Sequence, residues 1–220
     1  MKNNQEPLTI EEVARAHRKN LVAIRQRLSE FDRIWATAID AEIWEEMVFC
    51  FFTGGCSAAM GLKAVDAIRP LLISGTREEI AGRLKGVHRY PNARARYVEE
   101  SRDFLREQFD FKIRQKLNDF DDPHARRDWL AKEKGIKGLG YKEASHFLRN
   151  IGFKGYGILD KHVLRCLAEL KIIDDPKPPN SRSTYLTVEE RLLRFARSVD
   201  IDFDEMDLVL WSIKTGKILK

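Results

Sequence analysis

In residues 135–162, GIKGLGYKEASHFLRNIGFKGYGILDKH, two closely spaced glycines precede a lysine at the head of an apolar helical run, and an aspartate opens the helix after it. Glycine takes positive φ without steric penalty. Gly138 and Gly140 are both expected to do so, turning backbone N–H groups outward into a nest able to grip a phosphate, with Lys137 beside them as a further contact to a nucleic-acid backbone. Lys142 follows at the helix start, where the aligned peptide dipoles disfavour an ammonium, so its amine is expected to be easier to free than an ordinary lysine's. Gly152 is placed to end that helix. Asp160 is placed to cap the next, whose apolar stripe is Val163, Leu164, Leu167 and Leu170. Upstream, Pro123 opens a helix ending near Lys134, so residues 127–151 read as two helices around a glycine hairpin, a helix–hairpin–helix.

Outward from this motif the periodicity is helical throughout, with no alternating run bounded by turns, and the expected fold is all-α in two lobes. Thr9 and Glu12 form a capping box ahead of Ile10, Val13, Ala14, His17, Leu21, Ile24 and Leu28, which line one face of a long first helix. Residues 40–53 read as a more apolar helix, TGGCSAAMG as a break, and 58–73 as a further helix. Thr76 with Glu79 caps a short one. Pro91 begins a helix reaching about Phe109. DDPKPPNSRST (174–184) reads as a connector, Thr187 with Glu190 as the start of the next helix, and Asp204 to Gly216 as the last. The expected division is 1–74 with 185–220 as one lobe and 75–184, holding the hairpin, as the other, with the final helices returning to the first lobe.

A chain of 220 residues with 43% hydrophobic and 33% charged content has the composition of a folded globular protein. The first residues lack the apolar stretch of a signal peptide, and no run approaches the ~20 apolar residues that span a bilayer, so a cytoplasmic monomer with no membrane contact is expected. Cys50, Cys56 and Cys166 are odd in number and unclustered. Neither a disulfide framework nor a zinc or iron–sulfur site is expected from them, and no cofactor or metal. The net charge of +5 is carried by residues 131–171, with nine basic and four acidic side chains. Arg83, Lys85, Arg89, Arg94 and Arg96 make a second basic stretch, with Tyr90 and Tyr97 close by. Two such faces point to a polyanion partner.

Lys142 and Asp160 together suit cleavage of a nucleotide's glycosidic bond. That chemistry needs an amine to attack the sugar C1′ and a carboxylate to steady the cationic sugar and move protons. An ordinary lysine has a pKa near 10.4, so at neutral pH only a few molecules in ten thousand carry the free amine, and the surroundings must change that. His146 and His162 are expected to serve packing or capping rather than catalysis.

The motifs GLGYKEA and ILDKH resemble those of the helix–hairpin–helix DNA glycosylase superfamily. With KGLGYKEASHFLRNIG, ILDKHVLR and the ending LVLWSIKTGKILK, the chain is similar over most of its length to the type 2 8-oxoguanine DNA glycosylase/AP lyases. The resemblance implies a two-lobed helical enzyme acting on double-stranded DNA that contains 8-oxoguanine. It implies excision of that base and β-elimination 3′ to the abasic site through a lysine Schiff base, with Lys142 matching the Schiff-base lysine and Asp160 the catalytic aspartate. The cysteine cluster of endonuclease III-like relatives is missing; a carbonyl-bound monovalent cation in the hairpin is compatible with the pattern. The resemblance also places the last residue, Lys220, in the base pocket and makes Trp211 a candidate to stack on the extruded base. 8-Oxoguanine carries a proton at N7 where guanine has a lone pair, so a carboxylate on the Lys220 tail would separate them by roughly 1–3 kcal/mol. An oxidised-pyrimidine glycosylase/lyase and a non-catalytic hairpin module that binds DNA are the alternatives. The loop at Gly54, Gly55 and Cys56 is a weak candidate for the wedge that replaces the extruded base.

Overall fold

The computed structural model describes residues 7–219, and in them the chain is all-helical. Eleven helices follow in order: α1 (Ile10–Thr37), α2 (Asp40–Thr53), α3 (Ala58–Ile68), α4 (Arg77–Leu84), α5 (Pro91–Phe109), α6 (Ile113–Asn118), α7 (Pro123–Lys132), α8 (Tyr141–Asn150), α9 (Lys161–Glu169), α10 (Arg182–Ser198) and α11 (Phe203–Thr215). Among the described residues no helix is long and apolar enough to cross a membrane.

Local chemistry sets most of the boundaries. Thr9 and Glu12 exchange the two capping-box hydrogen bonds, at 2.9 and 3.2 Å, and Thr76 with Glu79 does the same at α4. Pro91 and Pro123 are first residues of their helices, where a missing N–H costs nothing. The expected helix over 58–73 stops at Ile68 because Pro70 cannot continue the hydrogen-bond ladder, and Arg69–Leu71 is a 3-10 turn instead. α10 begins earlier than Thr187, since Ser181 accepts from the Thr184 amide at 3.1 Å and starts it at Arg182. Asp202 rather than Asp204 caps α11. The short α6 carries no cap signal in the sequence and was not anticipated.

The chain forms two compact units, one taking in the residues up to Glu30 and from Lys154 on, the other Phe31–Phe153. This differs from the expected division at 74/75 and 184/185. The reason is α2. Its residues Ile43, Trp44, Met47, Val48, Phe49, Cys50, Phe51 and Phe52 are all buried, so from Met47 on it is apolar all round and must be surrounded. α3, α5, α6 and α8 surround it. Each large side chain so buried contributes about 1.5–3 kcal/mol, which makes α2 the centre of the Phe31–Phe153 unit. Trp44 packs edge-on against Phe51 and Phe111, and its indole N–H donates to the Leu72 carbonyl at 3.1 Å.

In the other unit α11 packs on α9 and α10. It is also fastened to α1. His17 Nε2 and Arg25 Nε meet the two oxygens of Glu205 at 2.6 and 2.8 Å, and Asn20 donates to Ser212 at 3.2 Å. Burial pushes the Glu205 carboxyl up, but these two donors outweigh it and hold it below its ordinary value.

The link from α4 to α5 turns on His88. Its Nε2 lies 3.0 Å from the Phe52 carbonyl at the end of α2, and its Nδ1 accepts from the Tyr90 amide at 3.0 Å, a pattern that requires the neutral ring. Burial pushes the imidazole below 6.5; the bond to Phe52 opposes the shift and Arg94 adds to it. The unfolded chain therefore binds the extra proton more readily. The stability that His88 supplies is whole above about pH 6.5 and is lost as pH falls from there toward the lowered folded value, and His162, also lowered by burial, adds with the same sign. Urea denaturation at about pH 7.5 and about pH 5 should show the loss, and His88→Gln should flatten the slope between them. An unchanged slope in that variant assigns the dependence elsewhere.

Candidate active site

The hairpin joining α7 to α8 lies in the Phe31–Phe153 unit and is held close against α5. A Cβ at Gly135 would stand 2.1 Å from the Phe104 ring, and one at Gly138 would stand 2.6 Å from Tyr97 Cδ2. Gly138 has φ +77°, the expected left-handed conformation. Gly140 does not share it. Its φ of −90° and ψ of −174° are those of an N-cap, extended backbone open to any residue, so the expectation of positive φ there is corrected. What glycine contributes at this position is the lack of a side-chain oxygen, which leaves the first-turn amides of α8 uncapped. The N–H groups of Gly138, Leu139 and Gly140 also have no protein acceptor among the described residues. Ile136 and Leu139 are buried and anchor the loop from beneath.

Lys137 is more occupied than expected. Its amide donates to the buried Ser101 hydroxyl at 2.8 Å, pinning the hairpin to α5, while its ammonium reaches the Lys134 carbonyl. Its backbone contribution is structural, and only the side chain remains for a nucleic acid.

Lys142 is the second residue of α8 and is half-buried, its side chain 24% exposed. Its Nζ lies 3.1 Å from Oε1 of Glu143, whose side chain is 17% exposed. Sequence reading counted the positive surroundings of the lysine and passed over this carboxylate. A signal was present, since an acidic residue in a first helical turn is favoured by the dipole. Glu143 faces the α2–α3 turn: a Cβ at Gly54 would stand 3.6 Å from Glu143 Oε1 and 3.1 Å from Arg94 Nη2. Arg94, read as part of an exposed basic stretch, is buried. It donates to the Gly54 carbonyl and lies over the Tyr90 and Tyr97 rings at 5.7 and 5.2 Å. Arg83, Lys85, Arg89 and Arg96 are exposed as expected. The Gly54–Gly55 turn is thus part of the wall beside Lys142's partner. Tyr141 is engaged on the other side, donating to Asp128 at 3.0 Å.

Asp160 lies in the other unit, at the end of a loop that α10 holds from both sides. Gly157 donates to Glu189 at 2.8 Å, and the Tyr185 hydroxyl donates to the Gly157 carbonyl at 2.7 Å. Asp160 caps α9 as expected: Oδ1 accepts from the His162 and Val163 amides at 2.8 and 2.9 Å. Oδ2 has no donor among the described residues and keeps its lone pairs for other work. Two residues on, His162 stands edge-on to Trp211 of α11, ring centroids 6.3 Å apart. Trp211 is half-buried, while its neighbours Leu208 and Leu210 belong to the core. His146 packs edge-on to Phe49 and is buried. Lys220 lies outside the described residues.

Residues 24–201 match a family model described as 8-oxoguanine DNA glycosylase. A relative from Korarchaeum cryptofilum named 8-oxoguanine DNA glycosylase/AP lyase is 39% identical over 198 residues, 90% of either chain. One of the same name from Methanocaldococcus jannaschii is 34% identical over 212 residues, 96% of this chain and 97% of that one. Among solved structures, the Methanocaldococcus jannaschii 8-oxoguanine glycosylase/lyase in complex with a 15mer DNA containing 8-oxoguanine is similar with a TM-score of 0.87 and 32% identity, covering 96% of this chain and 99% of that one. Tm1821, the 8-oxoguanine DNA glycosylase of Thermotoga maritima, is similar with a TM-score of 0.86 and 33% identity, covering 96% and 98%. With the family's hairpin in place and relatives this alike along nearly the whole length, the chain belongs to the 8-oxoguanine DNA glycosylase family.

Proposed function

We propose that this protein excises 8-oxoguanine from double-stranded DNA and then nicks the abasic strand, with Lys142 as the nucleophile and Asp160 as the carboxylate that assists it. The observation that carries the reading is a half-buried lysine in the first turn of α8, directly behind a hairpin with three unclaimed amides, in a chain of this family. Backbone amides at a helix start take a phosphate oxygen without reading sequence. The strand is gripped there, and extrusion of the damaged nucleotide brings its C1′ to the lysine. The Nζ lone pair forms a bond to C1′ as the bond to the base breaks. Loss of protons from nitrogen and opening of the sugar ring give the Schiff base. Removal of a C2′ proton then expels the 3′ phosphate, and water releases the lysine. Asp160 serves through Oδ2, an anion able to steady positive charge on the sugar and pass protons. Trp211 takes the base by stacking.

Borohydride reduction of the reaction with DNA containing 8-oxoguanine should link protein and DNA covalently, and Lys142→Gln should give no adduct. An adduct in that variant would remove the lysine from its role. Asp160→Asn is a clean test because asparagine caps a helix as well as aspartate does. It should keep the fold and DNA affinity yet excise at least about 100-fold more slowly. Wild-type turnover would leave Asp160 a cap only. Trp211→Ala removes a stacking surface typically worth about 1–3 kcal/mol, so excision of 8-oxoguanine should slow while trapping on a preformed abasic site, which has no base to stack, stays near wild type. Equal losses on both substrates would make Trp211 a core residue and nothing more.

A further inference from the structure

Lys142's nitrogen has to shed two protons between the ammonium and the Schiff base, and the reading above names no group that receives them from Nζ. We propose that Glu143 is that group, the immediate proton acceptor of Lys142. The inference rests on Lys142 being the nucleophile.

Glu143 Oε1 lies 3.1 Å from Nζ and is the single carboxylate in ion-pair contact with Lys142 among the described residues. Both side chains are largely withdrawn from water, which leaves solvent poorly placed to take the proton. The carboxylate lies beside two glycines, at ordinary contact distance from where their Cβ atoms would stand. A Cβ at Gly54 would stand 3.6 Å from Oε1, and one at Gly140 would stand 3.4 Å from Oε2. The other charged groups nearby are already spoken for. Arg94 is bound to the Gly54 carbonyl and stacked on two tyrosines, and Asp128 takes Tyr141 and Lys132. Glu143 is the group left facing the nitrogen.

The protons balance as follows. Nζ begins with three and ends, as the protonated Schiff base, with one. Of the two lost, one ends on the departing base and one on the sugar O4′ when the ring opens. Glu143 takes each from nitrogen in turn and passes it on, ending the cycle as the carboxylate it began. The first transfer is uphill from a resting ammonium. The second is easier, because a nitrogen bonded to C1′ beside the ring oxygen is far less basic than a free amine. An ion pair that merely holds Lys142 in its cationic form predicts the opposite behaviour, since breaking it would release the amine.

The test measures single-turnover Schiff-base trapping on DNA with a preformed abasic site, from about pH 6 to about pH 9.5, for wild type, Glu143→Gln, Glu143→Asp and Lys142→Gln. Glu143→Gln should trap about 100-fold more slowly near neutral pH, with DNA affinity unchanged, and the deficit should shrink toward alkaline pH as hydroxide takes over the proton. Glu143→Asp, with the carboxylate retained, should recover part of the rate, which a folding defect would not allow. Trapping by Glu143→Gln as fast as wild type or faster across the range overturns the proposal, and so does a deficit that is the same at every pH. Lys142→Gln separates the two levels of inference. An adduct there removes the underlying nucleophile, whereas no adduct there with undiminished trapping by Glu143→Gln removes only the role of Glu143.

Discussion

The constraint on which the Phe31–Phe153 unit depends is the contact distance between the hairpin and α5. Two side chains of α5, Tyr97 and Phe104, occupy the space where Gly138 and Gly135 would carry a Cβ, and Ser101 between them accepts the Lys137 amide. The three lie on one face of α5 at helical spacing, so a single face fixes the loop at three points. Any larger residue at 135 or 138 has to push the loop off α5, and at 138 it also has to adopt a backbone angle that L side chains resist. Because α8 begins directly after the loop, the position of its first turn, and with it Lys142, follows from that contact. Lys142 is thus placed by a close approach four residues upstream, at Gly138.

The same unit shows how a buried helix reaches function at its end. From Met47 to Phe52 α2 is apolar and buried at every position, and its surroundings leave it no freedom to shift. The Gly54–Gly55 turn that ends it is therefore carried at a fixed height, with Arg94 holding the Gly54 carbonyl and Glu143 beside it. His88 ties the last turn of α2 to the start of α5. Core packing, a buried arginine and a neutral histidine thus converge on one turn, and that turn bounds the carboxylate that pairs with the lysine.

The capping chemistry was legible in the sequence because it is local. Thr9 with Glu12, Thr76 with Glu79, Pro91, Pro123, Asp160 and Gly216 each act within four residues of themselves. Gly138 was legible for the same reason. Gly140 was misread because a glycine before a helix serves equally as a left-handed turn residue and as a cap without a side chain, and only the angles separate the two. Arg94 was read as surface charge because composition does not distinguish a solvated arginine from one stacked on two tyrosines and bound to a carbonyl 40 residues away. The placement of α2 with the hairpin was missed on the same ground: nearness in the chain suggested the first lobe, whereas a helix whose second half is apolar on all faces goes where the most partners are. Glu143 stood in plain sight beside Lys142. Adjacent residues on a helix point about 100° apart, which made an ion pair between them easy to discount, yet long side chains at a helix start can bend toward each other across an uncapped end.

That last geometry joins binding to chemistry. A helix start without a cap leaves amide hydrogens and partial positive charge unclaimed, and such a surface favours anions of either kind, a phosphate from outside or a carboxylate from within. Just before α8 the amides of Gly138 to Gly140 have no acceptor among the described residues, while the carboxylate of the first turn, Glu143, is turned toward Lys142 rather than back onto them. Had position 140 been Ser or Asp, its side chain would have accepted from the amides of Lys142 or Glu143 and capped the helix. Had Glu143 reached back to the amide of residue 140 in a capping box, as Glu79 and Glu12 do at their own helices, Lys142 would have lost its partner. Glycine at the cap leaves the first turn of α8 without a side-chain acceptor of its own, and the carboxylate of that turn lies against the Lys142 nitrogen instead.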